Sequence, residues 1–397
     1  MTKNLLFIMP GLSSGGGERS LVNLLSQVDY DEYQVDLFLL NHDGLFMEFI
    51  PQNVRLLPLP DKYQLFTLAM WKSTSLLLFK GKFGLAYHRA MFALKNRLFR
   101  STALREQYSW KHMSKFLDTL AQPYDTVIGF MEKTSIYFSV DKVQANTKVG
   151  WIHIDYDQLG MDPHFDVSYF KQLDHIVTVS EECADILKNR FPHERDKISV
   201  IHNIVSPEVI KQLADQHKHE SRDAKDEEIS ILSIGRLHSQ KAFELAIEAC
   251  RKLVDKGYPV QWRIIGEGEE RQKLTDLIQA NGLENHFTLL GLKSNPYPYL
   301  KQADLYVQTS RFEGKSIAID EAKILNKPIV VTRFSTAKDQ IEDGVDGLIV
   351  DMNAEAVAAG IETLIQDKAL RVRITDRLAQ LSLGTEEEIH KFYKLLV

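Results

Sequence analysis

The chain has 397 residues, 44% of them apolar, and a formal net charge of −6. That length exceeds what a single hydrophobic core usually organises, so two domains are expected, and the acidic balance argues against nucleic acid as a partner. Cys183 and Cys250 are the only cysteines, too few for a disulfide framework and without metal-ligand spacing, which suits a reducing cytoplasm.

The first apolar run, Leu5 to Met9, reads as a buried strand. It is far shorter than a signal-peptide core or the roughly 20 residues of a membrane span. A glycine loop with Gly15, Gly16 and Gly17 follows, and Leu21, Val22, Leu24, Leu25 and Val28 then recur at helical spacing. Further strands are expected at 34–40, 126–130, 148–152 and 175–179, each a short apolar run between polar residues, as in strands covered on both faces.

Between Lys62 and Lys115 the sign of the charge reverses. Lys62, Lys72, Lys80, Lys82, Arg89, Lys95, Arg97, Arg100, Arg105, Lys111 and Lys115 stand against one acid, Glu106. Interleaved with them are Phe66, Trp71, Phe79, Phe83, Phe92, Phe99 and Trp110, a pattern that suits an amphipathic surface docked on an anionic membrane. The competing reading is a solvated helix pair with buried aromatics.

The charged segment 216–228 reads as a linker or exposed loop. A second series then begins: strand 229–234, helix 243–255, strand 261–265, helix 269–280, and strands 287–290, 304–308 and 327–332. Strands alternating with helices of this length indicate βαβ units and a parallel sheet. The expected organisation is a domain over 1–205, a second over 206–380, and a final helix within 381–397 that packs back on the first. Thr385, Glu386, Glu387 and Glu388 have the capping-box spacing for that helix.

Glu313 and Glu321 flank the start of a helix between two strands, an arrangement suited to a nucleotide-sugar site. In a parallel sheet this order places Glu313 in the loop at a strand's carboxyl end and Glu321 inside the next helix, both toward one crevice. Arg236 and Lys241 flank another strand-to-helix loop, where two cations beside a helix N-terminus can hold a diphosphate. Alone they also fit a solvated surface pair. Gly266 and Gly268 mark a second such turn, a weak signal by itself. Two Asp-x-Asp triplets, Asp29 to Asp31 and Asp155 to Asp157, are short enough to arise by chance, and the cationic pair makes a metal unnecessary for leaving-group charge.

Gly235, Arg236 and Lys241, Gly266 to Gly268, Glu313 and Gly314 through Glu321 and Ala322, and Gly344 to Val350 together resemble the retaining nucleotide-sugar glycosyltransferases of family 4. Gly15 to Arg19, His153, and Ile201 to Asn203 match more loosely. The resemblance implies the α/β GT-B fold, two Rossmann-like doubly wound domains facing a central cleft. It implies a donor site of Gly16, Gly17, Gly235, Arg236, Lys241, Gly266, Gly268, Glu313, Gly314, Lys315, Ser316, Ile317 and Glu321. In it, Glu321 binds the ribose hydroxyls, Glu313 faces the donor sugar, and Arg236 and Lys241 bind the diphosphate. His153 stands beside the reacting sugar, although a histidine after an apolar strand is more often structural.

The expected activity is metal-independent transfer with retention, from a nucleoside diphosphate sugar to a lipid-linked or cell-surface glycan acceptor. No cofactor is expected, and the location is cytoplasmic, peripheral on the inner face of the cell membrane. A nucleotide-sugar epimerase and an inactive glycosyltransferase-like partner subunit are the rival readings.

Overall fold

A computed structural model of the chain describes residues 2–13, 15–99, 101–216 and 228–396. Most of the charged segment 216–228 lies outside these residues, as do Ser14 and Arg100. The chain divides into two compact units. The first comprises Met1–Ser13, Leu21–His202 and Glu388–Val397, and the second comprises Ser14–Ser20 and Asn203–Glu387.

Among the described residues the first unit has a seven-stranded parallel sheet. Its strands are β1 (Lys3–Met9), β2 (Tyr33–Leu39), β3 (Val54–Leu56), β4 (Tyr124–Gly129), β5 (Ala145–Ile152), β6 (His175–Thr178) and β7 (Ile198–Val200), in the order β3-β2-β1-β4-β5-β6-β7. Leu5 through Met9 are completely buried, as a strand covered on both faces requires.

The second unit repeats the plan with six parallel strands. These are β8 (Ile229–Ile234), β9 (Val260–Ile265), β10 (Phe287–Leu289), β11 (Leu305–Gln308), β12 (Ile329–Thr332) and β13 (Leu348–Val350), in the order β10-β9-β8-β11-β12-β13. The helix Phe243–Asp255 buries Phe243, Ala246, Ile247, Cys250 and Leu253, one face at a 3.6-residue period. In each sheet the chain runs outward in opposite directions from one central pair, β1 with β4 and β8 with β11. Ligand crevices form at the carboxyl ends of such a pair.

The helix Glu388–Lys394 belongs to the first unit. Its Phe392 ring lies 5.8 Å from that of Phe7, Tyr393 stacks on Tyr33 at 5.3 Å, and the Lys3 ammonium donates to the Leu396 carbonyl at 2.6 Å. The capping box expected at Thr385 is absent. Thr385 Oγ1 instead accepts from the Val205 amide at 2.8 Å and donates to the Asn203 carbonyl at 2.7 Å, and the helix begins three residues later. An N-cap hydroxyl must immediately precede the first helical residue, and a helix that starts at Glu388 lies too far on for Thr385 to cap it.

The basic stretch forms helices Asp61–Thr67, Met70–Phe79, Phe83–Leu98 and Thr102–Met113. Phe66 and Trp110, expected on an amphipathic surface, are core residues of the first unit. Arg89 is buried too, donating to the Phe66 and Leu68 carbonyls at 3.2 and 3.1 Å, with its guanidinium 5.1 Å from the Phe66 ring centre. This cation therefore belongs to the interior of the helix cluster.

Candidate active site

The loops after β8 and β11 bring together most of the expected donor-site residues of the second unit. Gly235 to Lys241 follow β8, and Lys241 ends a short 3-10 turn, Ser239–Lys241, just ahead of the helix Phe243–Asp255. Arg236 is exposed on that loop. Glu313 sits in the loop after β11, and its buried carboxylate is closely held. Its Oε1 accepts from the Lys241 ammonium at 2.5 Å, Ser310 Oγ at 2.5 Å and Gln308 Nε2 at 3.2 Å. Lys241 compensates the carboxylate's charge, and two neutral donors fix its orientation.

The rest of the loop is held equally closely. The Ser316 amide donates to Gln340 Oε1 and Gln340 Nε2 donates to the Ser316 carbonyl, both at 2.8 Å. Ser316 Oγ donates to Gln308 Oε1 at 2.8 Å, so Gln308 ties Ser316 to Glu313. Lys315 pairs with Asp320 at 3.0 Å, and Ile317 opens the helix Ile317–Ile324.

Glu321 lies just over one turn into that helix and is buried. Its Oε1 accepts from Tyr297 Oη at 2.9 Å and from Arg19 Nη1 at 2.5 Å, and the same Arg19 nitrogen donates to Tyr297 Oη at 3.0 Å. Burial pulls the Arg19 guanidinium down, but Glu321 and Tyr297 outweigh it and hold the group above its ordinary range. Burial likewise pushes the Tyr297 phenol up. All three belong to the second unit, with Ser14–Ser20.

Gly16 and Gly17 start the helix Gly16–Leu25, and a Cβ at Gly16 would meet nothing within 4 Å. Gly266 and Gly268 have a clear steric purpose. A Cβ at Gly266 would lie 1.9 Å from the Gly235 carbonyl oxygen, and one at Gly268 would lie 2.3 Å from that of Leu237. The two glycines let the turn after β9 pack directly on the loop that carries Arg236. Gly344 to Val350 is structural as well: Asp346 accepts from the buried Lys323 ammonium at 2.7 Å and from the Glu342 amide at 2.8 Å.

His153 follows β5 in the first unit. Its ring lies parallel to that of Trp151 at 6.0 Å and 4.8 Å from that of Phe130, and its amide donates to Glu132 Oε2 at 3.3 Å. Its Nε2 is withdrawn from solvent with no hydrogen-bond partner among the described residues. Burial lowers its pKa to about 3, so the imidazole is neutral at physiological pH.

The Asp-x-Asp triplet at 155–157 has a local explanation. Asp155 caps the helix Tyr156–Leu159 by accepting from the Asp157 and Gln158 amides at 3.0 and 3.2 Å, and Asp157 pairs with Arg190 at 2.7 Å. Ser310, Gln308, Gln340, Tyr297 and Arg19 carry no sequence signal of the contacts they make to this site. Arg19 ends the Gly15 to Arg19 motif, but its tie to Glu321 spans 302 positions and leaves no trace in spacing.

Residues 215–380 match the family model described as "Glycosyl transferases group 1". An uncharacterised glycosyltransferase of Methanocaldococcus jannaschii is 28% identical over 261 residues, 58% of this chain and 64% of that protein. The Campylobacter jejuni N-acetylgalactosamine-N,N'-diacetylbacillosaminyl-diphospho-undecaprenol 4-alpha-N-acetylgalactosaminyltransferase is 29% identical over 204 residues, 51% of this chain and 53% of that one. The chain thus spans less than two thirds of the length of either relative. A crystal structure of Anabaena HepE in complex with UDP and glucose superposes with a TM-score of 0.69 at 16% identity, covering 99% of this chain and 98% of that one. With its two parallel-sheet, Rossmann-like units, the chain has the GT-B fold of glycosyltransferases, and its second unit carries the group 1 match.

Proposed function

We propose that the chain is a retaining glycosyltransferase that moves a sugar from a nucleoside diphosphate to a hydroxyl of a lipid-linked or cell-surface polysaccharide precursor. The observation that carries this reading is the grouping of Arg236, Lys241 and Glu313 on the loops after β8 and β11, where the sheet order reverses. The group 1 match and the UDP and glucose in the HepE structure support a nucleotide-sugar donor, with uridine as the base to test first. The undecaprenol-linked acceptor in the Campylobacter relative's name supports a lipid-linked acceptor.

In this reading the bond from the anomeric carbon to the diphosphate oxygen breaks, the bond to the acceptor oxygen forms on the same face, and the hydroxyl proton leaves with the diphosphate. Arg236, Lys241 and the N-terminus of the helix Phe243–Asp255 stabilise the charge of the departing group. Glu313, held by Ser310 and Gln308, accepts hydrogen bonds from the donor sugar. Glu321 accepts two from the vicinal ribose hydroxyls. His153 of the first unit is neutral, with Nε2 unpartnered among the described residues, and a role for it at the reacting sugar is carried by the family resemblance alone. Retention is carried by the family resemblance.

Exposed cations of 62–115 such as Lys72, Lys80, Lys82, Lys111 and Lys115 bring the enzyme to the cytoplasmic face of a membrane, where a lipid-linked acceptor resides. Among the described residues no helix is long and apolar enough to cross one. The test is a donor panel with lipid-linked acceptors, read as diphosphate release and anomeric configuration of the product. Release of UDP with a retained linkage supports the proposal. Isomerisation of the donor sugar without acceptor contradicts it, as does inversion.

A further inference from the structure

A surface helix normally turns its polar side to water. The helix Phe83–Leu98 does the reverse. Its exposed positions include Phe83, Tyr87, Ala90, Leu94 and Leu98, recurring at three- and four-residue steps along one outward stripe. The preceding helix, Met70–Phe79, continues the pattern outward with Trp71, Leu78 and Phe79. Phe79 is 91% exposed, Trp71 80% and Phe83 68%, so these rings are presented to the outside. Large apolar side chains exposed along one helix face and beside the turn before it mark an interaction site.

The cations identify the occupant. Lys80, Gly81 and Lys82 form the turn between Phe79 and Phe83, and all three are exposed. An open cavity of about 630 Å³ beside the turn is lined by Lys82, Phe83, His88 and Lys115 among others. Ammonium groups bordering a bare aromatic and aliphatic stripe match an anionic bilayer surface, with phosphates outside and acyl chains within.

We infer that the turn at Phe79 to Phe83 and the outward stripe of the helix Phe83–Leu98 insert into the acyl boundary of an anionic membrane. Lys80, Lys82 and Lys115 then engage lipid phosphates at its edge. The inference rests on the proposal that 62–115 meets a membrane and deepens it. Attachment is by apolar burial as well as by charge, and the helix lies along the interface.

Trp71 serves as the probe, because Trp110, Trp151 and Trp262, the other tryptophans of the four in the chain, are fully buried. The full chain is mixed with vesicles of phosphatidylcholine and phosphatidylglycerol, with and without acyl-chain bromination. The expected results are a blue-shifted Trp71 emission quenched by the brominated lipid and abolished in Trp71→Phe, and partitioning that survives high salt in part. Phe83→Ser with Leu94→Ser leaves the charge unchanged, and it is expected to weaken partitioning at least tenfold at unaltered melting temperature.

Vesicle binding without quenching, with the double variant binding like the native chain, would overturn insertion and leave the electrostatic docking standing. Absence of binding to these vesicles would overturn both. A lipid-free dimer that the same two serines disperse would assign the stripe to a second copy of the chain and overturn the inference.

Discussion

The Lys241 ammonium stands 2.5 Å from Glu313 Oε1, joining the loop after β8 to the loop after β11 across the point where the sheet order reverses. The pair holds a cation and a carboxylate in fixed positions with their charges balanced. Removing Glu313 leaves Lys241 without its partner, and removing Lys241 leaves a buried carboxylate held by Ser310, Gln308 and Gln240. Ser310→Ala takes away the 2.5 Å hydroxyl donor without touching either charge. It is expected to lower kcat by roughly three- to tenfold, about 0.7 to 1.4 kcal/mol, with a smaller change in donor KM. Steady-state kinetics with saturating acceptor check this.

Tyr297→Phe removes the phenol that donates to Glu321 at 2.9 Å and accepts from Arg19. A lost hydrogen bond to a buried charged group costs about 1.5 to 3 kcal/mol. If Glu321 is the ribose acceptor, the variant also raises the Kd for free nucleoside diphosphate several-fold. Calorimetric titration measures the affinity and thermal unfolding the stability. A stability loss with unchanged affinity would remove Glu321 from the donor site.

His153 makes stability depend on pH in a defined direction. Its pKa falls from about 6.5 in the unfolded chain to about 3 in the folded one, so below pH 6.5 the unfolded state binds the extra proton. Stability from this group is complete above pH 6.5, declines by at most about 1.4 kcal/mol per pH unit as the pH falls, and levels off near pH 3. Urea unfolding between pH 7 and pH 4 is expected to show a slope shallower by up to one proton in His153→Gln than in the native chain. Since the folded imidazole is neutral, kcat/KM is expected to show no inflection near pH 6.5 from this residue.

Asp346→Ala strands the buried Lys323 ammonium, which among the described residues then keeps only the Gln340 carbonyl as partner. An uncompensated buried charge costs about 3 to 5 kcal/mol, so a large drop in melting temperature is expected. Replacing the pair together by Lys323→Met and Asp346→Leu is expected to recover most of it. A large loss of activity at unchanged stability would instead give the Gly344 to Val350 motif a direct place at the substrate.

The charge of the diphosphate is assigned to Arg236, Lys241 and a helix N-terminus, so transfer is expected to run at full rate in excess chelator. Activity that chelator abolishes and manganese restores would contradict that assignment.

The βαβ alternation and ten of the thirteen described strands were legible because strands covered on both faces are written as short apolar runs, and 243–255 because its apolar face repeats every 3.6 residues; β3, β7 and β13, three residues each, are too short to show such a run. Arg236, Lys241 and Glu313 stood out as charges beside strand ends, and Glu321 as a carboxylate just inside the helix that follows. Their partners did not: Gln308 and Ser310 look like ordinary strand-end polar residues, and Arg19 reaches Glu321 only through folding. Thr385 carried a capping-box spacing, but its hydroxyl bonds Asn203 and Val205 and the helix starts only at Glu388. In 62–115 the sequence could not say which aromatics turn inward. Phe66 and Trp110 do, whereas the stripe from Phe83 to Leu98, with the periodicity of a core face, turns outward.

In the proposed function Lys241 and Glu313 act on a nucleoside diphosphate sugar. Diphosphate release, followed for Lys241→Ala and Glu313→Ala beside the native chain on the best donor of the panel, tests it most directly. Each substitution is expected to lower turnover at least tenfold, about 1.4 kcal/mol of transition-state stabilisation, with the fold retained by circular dichroism. Turnover within about threefold of native in both variants, under a kcal/mol of transition-state stabilisation, would contradict it.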